Sequence, residues 1–449
     1  MEQAGNKLFE TDNIWKILLK IAPPVMLAQL IQALYNIVDS YFVGRYSGAG
    51  LTALSVIFPV QLIIAALAVG TGVGVNILIA RQLAEHKFED ANSVVGTGEV
   101  LALLTWVVFS AASAFLLPVY IRVSAQSPQV VADAQTYGFI VCIGSLGIFM
   151  ESIWTKVHQA SGNMKLPMAA QIAGAVTNII LDPLLIFGMG VFPTMGIAGA
   201  AIATVAGQLV AAVLTGIPAF RRPPKRADCL RRAKQIYRLA YPSIFMQMLI
   251  TLYIIVLNVI LAGFSDSAVT VLGLYYKVQT FFFIPLLGFQ TCIVPVLSYT
   301  FACKNYSRCR SIFKDAVVVA MGFMLLGVFC FECLPGQMIG LFSQEEQVLS
   351  IGIPAFRIIG TSFLPAVLAL MTPVFFQAIG RAVPSVLLAL TRQLLCLIPI
   401  FWLLSKIGLA YTWLAFPIAE LVTAGVGLVL YTRQCRLWGN AAAPKAMHK

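Results

Sequence analysis

Long apolar runs separated by short polar loops dominate the chain. An α-helix needs about 20 residues to cross the roughly 30 Å hydrocarbon core of a bilayer, and each run reaches that length. Twelve spans are predicted, at residues 16–44, 52–80, 94–119, 134–156, 166–189, 196–219, 236–263, 268–300, 313–334, 349–378, 384–406 and 409–432. We therefore expect an all-α integral membrane protein with twelve transmembrane helices.

The twelve runs form two related sets of six. A constant offset of 218 residues aligns them and pairs Pro24 with Pro242, Tyr35 with Tyr253, Gln61 with Gln279, Gly70 with Gly288 and Gly162 with Gly380. Because six is an even number, the two copies share one orientation, and their pseudo-two-fold axis is expected along the membrane normal. The predicted domains are an N-terminal lobe at 1–220, a basic cytoplasmic linker at 221–235 and a C-terminal lobe at 236–449 with a short cytoplasmic tail.

Composition and charge support a membrane protein of fixed orientation. Hydrophobic residues make up 59% of the chain and charged residues 11%, against roughly 25% charged residues in soluble domains. Of the 30 Lys and Arg, 25 fall in loops on one predicted side and 4 on the other. The positive-inside rule then places both termini in the cytoplasm. The first 20 residues lack a signal-peptide pattern, so we expect Met1 to begin the mature protein.

Little in the sequence suggests catalysis or nucleic-acid binding. The chain has 3 His, and neither a metalloprotease helix motif nor a phosphate-binding loop is present. Its 9 Cys are scattered, which favours packing over metal or redox chemistry. The net charge of +12 follows from the loops just described. We therefore expect no enzyme, no cofactor, no resident metal and no nucleic-acid partner.

Two aspartates inside predicted helices are the strongest functional candidates, because buried charge is costly in a membrane. Asp39 has Asn36 three residues before it, and Asp182 has Asn178 four residues before it, so each carboxyl shares a helix face with an amide. Thr204 is expected at a similar depth in the outer leaflet. Such groups suit either a proton or a small hard cation, such as Na⁺, held by oxygen ligands. These five residues form the predicted cation-coupling site.

The second copy has lost this acidic set. Leu257, Leu395 and Pro399 occupy the positions that correspond to Asp39, Asn178 and Asp182. Ion coupling is therefore expected in the first lobe alone. The alternative for Asp182 is that Asp182-Pro183 ends its helix at the membrane surface and faces water.

A substrate cavity is expected between the lobes, lined mainly by apolar and aromatic side chains with a few polar anchors. The candidate lining residues are Gln61, Met246, Tyr276, Lys277 and Gln279. Two interpretations of Lys277 stay open, since it either lines this cavity or pairs with a deep carboxylate.

The other deep charges in predicted helices are Glu151, Arg392 and Glu420. Glu420 is the carboxylate that could pair with Lys277. For the three deep charges themselves, a structural ion pair and a role in transport are both open.

Four segments resemble a known family. They are Pro24 with Asn36-Ile-Val-Asp39, Gln159-Ala-Ser-Gly162, Asn178-Ile-Ile-Leu-Asp182-Pro183, and Gly196-Ile-Ala-Gly-Ala-Ala-Ile-Ala-Thr204. Together they resemble the multidrug and toxic compound extrusion (MATE) family, over essentially the whole chain. The similarity is to the bacterial branch with acidic residues in the N-terminal lobe. The acidic residues that other branches carry in helices seven and ten are missing here.

The resemblance implies a function and a location. Asp39, Asn178, Asp182 and Thr204 match positions that the family uses for Na⁺ or H⁺ coupling. The implied activity is a cation-coupled antiporter that exports small amphipathic, mostly cationic drugs by alternating access. We expect a monomer in the bacterial inner (plasma) membrane whose other contacts are with membrane lipid. The alternative is a flippase for a lipid-linked or amphipathic metabolite, which would be expected to line its cavity with several Arg or Lys.

Overall fold

The computed structural model describes residues 14–124, 127–190, 192–341 and 345–442, and within these ranges the chain consists of helices and short connections. The first seven helices are α1 (Ile14–Tyr46), α2 (Gly48–Ala84), α3 (Phe88–Ser124), α4 (Pro128–Gly144), α5 (Leu146–Ala160), α6 (Lys165–Ile186) and α7 (Ile197–Ala219). They are followed by α8 (Arg226–Ala262), α9 (Asp266–Ala302), α10 (Tyr306–Cys333), α11 (Pro335–Gly340), α12 (Glu346–Gly360), α13 (Phe363–Ala378) and α14 (Ala382–Leu390). A π-helix (Thr391–Leu397), α15 (Ile398–Ser405), α16 (Leu409–Thr412) and α17 (Ala415–Ala442) complete the chain.

The prediction of twelve spans is confirmed, but two of the spans are broken. Among the described residues, 10 helical segments are individually long and apolar enough to cross a membrane, and 2 bent helix pairs bring the total to 12. The bend between α4 and α5 is 41°, and the bend between α12 and α13 is 56°.

A serine lies at each bend. Ser145 Oγ donates to the Cys142 carbonyl at 2.6 Å, and Ser362 Oγ donates to the Ile359 carbonyl at 2.6 Å. A serine hydroxyl that bonds a carbonyl in the preceding turn competes with the helical hydrogen bonds, which favours a bend. At the offset of 218, Ser145 corresponds to Phe363, the residue directly after Ser362, so the broken span belongs to the repeated template.

The described chain divides into two compact units, the first containing Leu19–Met248 and the second containing the start of α1 up to Leu18 together with the chain from Leu249 onward. In the first unit, α2 and α8 approach at two glycines. A Cβ on Gly74 would lie 2.5 Å from the Ile236 carbonyl oxygen, and one on Gly70 would lie 2.3 Å from the Ile244 side chain. Small residues therefore allow these two helix backbones to meet.

Helices α6 and α7 pack equally closely. A Cβ on Gly174 would lie 2.6 Å from the Gly207 carbonyl oxygen, and a Cβ on Gly207 would lie 2.6 Å from the Gly174 carbonyl oxygen. Any larger side chain at either position would force the helices apart. This contact fixes the two elements that carry Asn178, Asp182 and Thr204.

The second unit has an aromatic core. Phe331 on α10 stacks on Phe356 with ring centroids 5.0 Å apart, and it contacts Phe363 at 4.7 Å. All three rings are fully buried. These contacts join α10 to both halves of the broken span α12–α13.

Part of the predicted linker is folded. Residues 221–225 are irregular, but α8 begins at Arg226. Arg232 Nη2 lies 2.6 Å from Asp90 Oδ1 of α3. The Arg221 backbone N–H donates to Glu99 Oε1 at 3.2 Å. The basic segment therefore packs on the first unit, while the exact limits of the predicted domains stay predictions.

Candidate cation site in the first unit

Helices α1, α6 and α7 bring the predicted acidic and polar groups into one region of the first unit. Asp39 is 8% exposed and Asp182 is 0% exposed, so both carboxyl groups are buried. Asn178 Nδ2 donates to Asp182 Oδ1 at 3.4 Å, which is the contact expected for residues four apart on a helix. The charges of Asp39 and Asp182 are close enough to act on each other.

The alternative in which Asp182 faces water is wrong. Helix α6 continues through Pro183 and ends at Ile186, and Asp182 is fully buried. The proline removes one backbone N–H, but it does not end the helix at this point. Asp182 is therefore an intramembrane carboxyl group and not a surface cap.

Three acceptor oxygens at this site lack hydrogen bonds. Asp39 Oδ1, Asp182 Oδ2 and Asn178 Oδ1 are buried, and none finds a hydrogen-bond partner within the described ranges. A buried carboxylate oxygen without a donor or cation is unfavourable, because it has lost its hydration without compensation. Oxygen atoms of this kind are the ligands that a hard cation prefers, and the carboxyl oxygens can also accept a proton.

Two tyrosines, half-buried Tyr35 and buried Tyr137, complete the surroundings. Tyr35 on α1 is within electrostatic reach of Asp39 and Asp182, and Tyr137 on α4 is within reach of Asp39. Gln61 Nε2 donates to the Tyr137 hydroxyl at 3.2 Å. The Thr204 side chain lies close enough to Tyr137 to influence its hydroxyl. Thr204 therefore lies beside the acidic region, next to a phenol that was not among the predicted site residues.

A cavity of about 100 Å³ lies beside this region, and several polar side chains line it. Its lining residues are Gln32, Tyr35, Ile148, Glu151, Gln171, Gly174, Ala175, Asn178, Thr204, Gly207, Gln208 and Ala211. Glu151 accepts a hydrogen bond from Thr155 Oγ1 at 2.6 Å and lies within hydrogen-bonding reach of Gln171. The cavity adjoins two of the predicted coupling residues, Asn178 and Thr204.

Asn36 is the one predicted coupling residue that the structure does not bring into the buried region. Its side chain is exposed, and its carbonyl accepts a hydrogen bond from Ser40 Oγ at 2.9 Å. Tyr35 and Gln208 were not among the predicted site residues. A usable signal existed for both, because Tyr35 precedes Asp39 by four residues and Gln208 follows Thr204 by four, which places each on the same helix face.

The candidate substrate residues lie in both units. Gln61 and Met246 belong to the first unit, and Tyr276, Lys277 and Gln279 belong to α9 in the second. Lys277 is exposed, whereas Gln61, Met246, Tyr276 and Gln279 are half-buried. Their predicted role in a substrate cavity stays a prediction.

The suggested pairing of Lys277 with Glu420 is wrong. Glu420 pairs instead with Arg392, whose Nη2 lies 2.6 Å from Glu420 Oε1. This contact confirms a structural ion pair for two of the three deep charges. Arg392 and Glu420 face each other between the π-helix and α17, whereas the Lys277 side chain points to the surface.

Within the described ranges, no group of three or more His, Cys, Asp or Glu side chains could hold a metal ion. The oxygen set around Asp39 and Asp182 combines two carboxyl groups with an amide and hydroxyls. Such a set offers the few oxygen ligands that a weakly held, exchangeable cation would use.

The family comparison agrees with the fold and the repeat. The MatE family model matches residues 24–184 and again residues 242–403. The two matches begin 218 residues apart, which confirms the repeat offset. The chain belongs to this family, the MATE transporters, and it is a multi-pass membrane transporter and not an enzyme.

Relatives match over nearly their full length. The chain is 25% identical over 436 residues to a protein of Shewanella oneidensis named "FAD transporter", covering 94% of this chain and 95% of that one. It is 24% identical over 449 residues to "Multidrug export protein MepA" of Staphylococcus aureus, covering 96% of each chain. It is 23% identical to "Probable multidrug resistance protein NorM" of Thermotoga maritima, covering 92% of this chain and 91% of that one.

Solved structures share the fold. One is described as "Outward-facing conformation of a multidrug resistance MATE family transporter of the MOP superfamily" and has a TM-score of 0.90 at 23% identity, covering 98% of this chain and 100% of the other. Another, a MOP superfamily transporter from Pyrococcus furiosus, has a TM-score of 0.90 at 24% identity, covering 98% and 99%. These likenesses confirm the MATE fold.

Proposed function

We propose that this transporter is a cation-coupled antiporter that exports small amphipathic, mostly cationic molecules by alternating access. The observation that carries the proposal is the set of three buried oxygens on Asp39, Asp182 and Asn178 that lack hydrogen-bond partners in the described structure. Its location is the bacterial inner membrane, with both termini in the cytoplasm, as the charge asymmetry of the loops favours. The transporter works as a monomer.

The coupling step follows from electrostatics. Two interacting carboxyl groups in an apolar environment cannot both carry uncompensated charge, so the site takes up either a proton or Na⁺. The bound cation favours one arrangement of the surrounding helices over the other. Movement of the cation down its gradient then supplies the free energy for export, because a ligand shifts a conformational equilibrium by its difference in affinity for the two states.

The relatives support the substrate class and also favour a second candidate. MepA is named for multidrug export, and the Shewanella protein is named an FAD transporter. FAD is amphipathic but anionic, and Lys277 is an exposed cation on α9 that suits a phosphate group. An amphipathic anionic metabolite is therefore the second candidate substrate, consistent with the flippase-like alternative.

Purified protein in proteoliposomes tests both the coupling and the substrate. Uptake of the cationic dye ethidium and of FAD is measured under an Na⁺ gradient, an H⁺ gradient or no gradient, with empty liposomes as the control. The proposal expects ethidium movement that requires one of the two cation gradients. Transport that is equal with and without both gradients would contradict a coupled antiporter, and transport of FAD alone would select the second candidate.

A further inference from the structure

A buried ion pair lies in the second unit. Arg392 Nε lies 2.9 Å and 3.1 Å from the two carboxylate oxygens of Glu420, and Nη2 lies 2.6 Å from Oε1. The side chains are 12% and 7% exposed. The fork of the guanidinium therefore engages the carboxylate through two nitrogens, which is the strongest geometry available to this pair.

The backbone that carries Arg392 is unusual. Residues Thr391–Leu397 form a π-helix between α14 and α15, whereas α6, the corresponding element of the first copy, is α-helical from Lys165 to Ile186. Short π-helical insertions are uncommon and often occur at functional positions. Arg392 belongs to this π-helix, and its buried guanidinium extends toward α17.

The repeat shows what the first copy has in the same place. The one-residue slip that pairs Asn178 with Leu395 also pairs Ala175 with Arg392. In the last helix of each copy, Gly196-Ile-Ala corresponds to Gly408-Leu-Ala, and each glycine is the residue directly before its helix. This register places Gln208 opposite Glu420, and the following Leu-Val dipeptide is identical in both copies.

The counterparts of the ion pair border the cavity of the first unit. Ala175 and Gln208 both line that cavity, and so does Tyr35. Tyr253, the counterpart of Tyr35, lies within electrostatic reach of Arg392 and Glu420. The second copy thus carries a guanidinium and a carboxylate at the positions where the first copy carries cavity walls.

Helix packing at these positions also differs between the two copies. The first copy has Gly174 and Gly207 in backbone contact, whereas the second copy has Thr391 and Ala419 at those positions. The side chains of Thr391 and Ala419 prevent the two helix backbones from approaching so closely. Arg392 instead joins the helices through its ion pair with Glu420.

We propose that Arg392 is a tethered cation, and that Glu420 with its surroundings is a cation-binding site for a guanidinium group that the protein's own side chain fills. The second copy then keeps its carboxylate permanently neutralised, while the first copy keeps an open cavity. Removing the arginine side chain without removing the carboxylate should create a site for a free guanidinium ion. The readout described next is thermal stability, so it does not depend on the transport activity proposed above.

The test compares Arg392→Ala with wild type in detergent, measuring the melting temperature in guanidinium chloride, sodium chloride or urea at equal low-millimolar concentrations. The variant should melt at a lower temperature than wild type, and guanidinium alone should raise it by about 3 °C or more, as expected for a ligand that binds the folded state. Two controls lack the required site. Arg357→Ala removes an arginine elsewhere in the second unit, and Arg392→Ala/Glu420→Ala removes the carboxylate. Guanidinium should raise the melting temperature of neither control.

If Arg392→Ala cannot be purified, the same measurement is made on Arg392→Gln, whose side chain fills part of the volume left by the arginine. If neither can be purified, the folded fraction recovered from membranes solubilised with and without guanidinium gives the same readout. No gain from guanidinium in any of these measurements, or an equal gain in the variant without Glu420, would overturn the proposal.

Discussion

The two copies differ in how their buried carboxyl groups are compensated. In the first unit, Asp39 and Asp182 are both buried and within electrostatic reach of each other, and each has an oxygen without a hydrogen-bond partner among the described residues. In the second unit, Glu420 is equally buried, but Arg392 satisfies it through two nitrogens. One template can therefore hold a carboxylate either for an exchangeable partner or for a permanent one. This difference is what the proposed function expects if cation exchange takes place in the first copy.

Helix packing follows the same division. Reciprocal glycines let α6 and α7 touch through their backbones, and the cavity lies beside that contact. The second copy has larger residues in place of both glycines and an ion pair at positions that correspond to the cavity lining. The contrast can be tested at the ion pair and at the glycine contact, by substitutions that give one copy the features of the other.

The largest loss of stability is expected for Glu420→Gln. This change leaves the Arg392 guanidinium buried without a carboxylate, which costs about 3–5 kcal/mol of unfolding free energy. Replacing both residues, as in Arg392→Met/Glu420→Leu, should recover much of that loss. The matched change in the first unit, Asp182→Asn, should lose far less, because the partner of that carboxyl is Asn178, a neutral amide. Unfolding in detergent measures all three, and equal losses for Glu420→Gln and Asp182→Asn would contradict the contrast.

A smaller loss is expected when the first copy receives the residue of the second at the glycine contact. Gly174→Thr would push side-chain atoms into the Gly207 carbonyl, and overpacking of this kind costs about 1–3 kcal/mol. The control is Gly322→Thr on α10, where a Cβ would meet nothing within 4 Å. If the two variants unfold at the same temperature, the close contact between α6 and α7 contributes nothing to stability.

The smallest effect on stability is expected for Lys277→Met. The side chain is exposed and does not hold Glu420, so the unfolding free energy should change by less than about 0.5 kcal/mol. If Lys277 lines the substrate path, the same variant should shift transport in proteoliposomes away from FAD and toward ethidium. Lys314→Met, an exposed lysine on α10, is the control. An unchanged ratio of the two substrates would exclude the lining role.

The repeated fold could be predicted because its signals are local. Apolar length defines the spans, and the constant offset defines the copies. The acidic site was also accessible, since Asp182 and Asn178 share a helix face by spacing alone. The bends at Ser145 and Ser362 were missed because a serine within an apolar run does not by itself distinguish a straight span from a broken one.

Contacts between distant segments were harder to predict. Tyr137 accepts a hydrogen bond from Gln61 and lies near Thr204, but no spacing relation links α4 to α2 or α7. The partner of Glu420 was uncertain for the same reason. Lys277 and Arg392 were both possible cations by depth, and only the packing of the π-helix against α17 selects Arg392.

The central claim is that the first copy couples transport to a cation, and Asp39→Asn tests it most directly. The amide keeps the shape of the side chain but can neither exchange a proton nor offer a full charge to Na⁺. The matched control is Asp133→Asn on α4, whose carboxylate accepts a hydrogen bond from Gln129 at the surface. Ion-gradient-driven transport of ethidium is measured in proteoliposomes for both variants, at equal protein content and with melting temperatures recorded. We predict that Asp39→Asn falls to the level of empty liposomes while Asp133→Asn stays near wild type. Near wild-type transport by a correctly folded Asp39→Asn would contradict the claim.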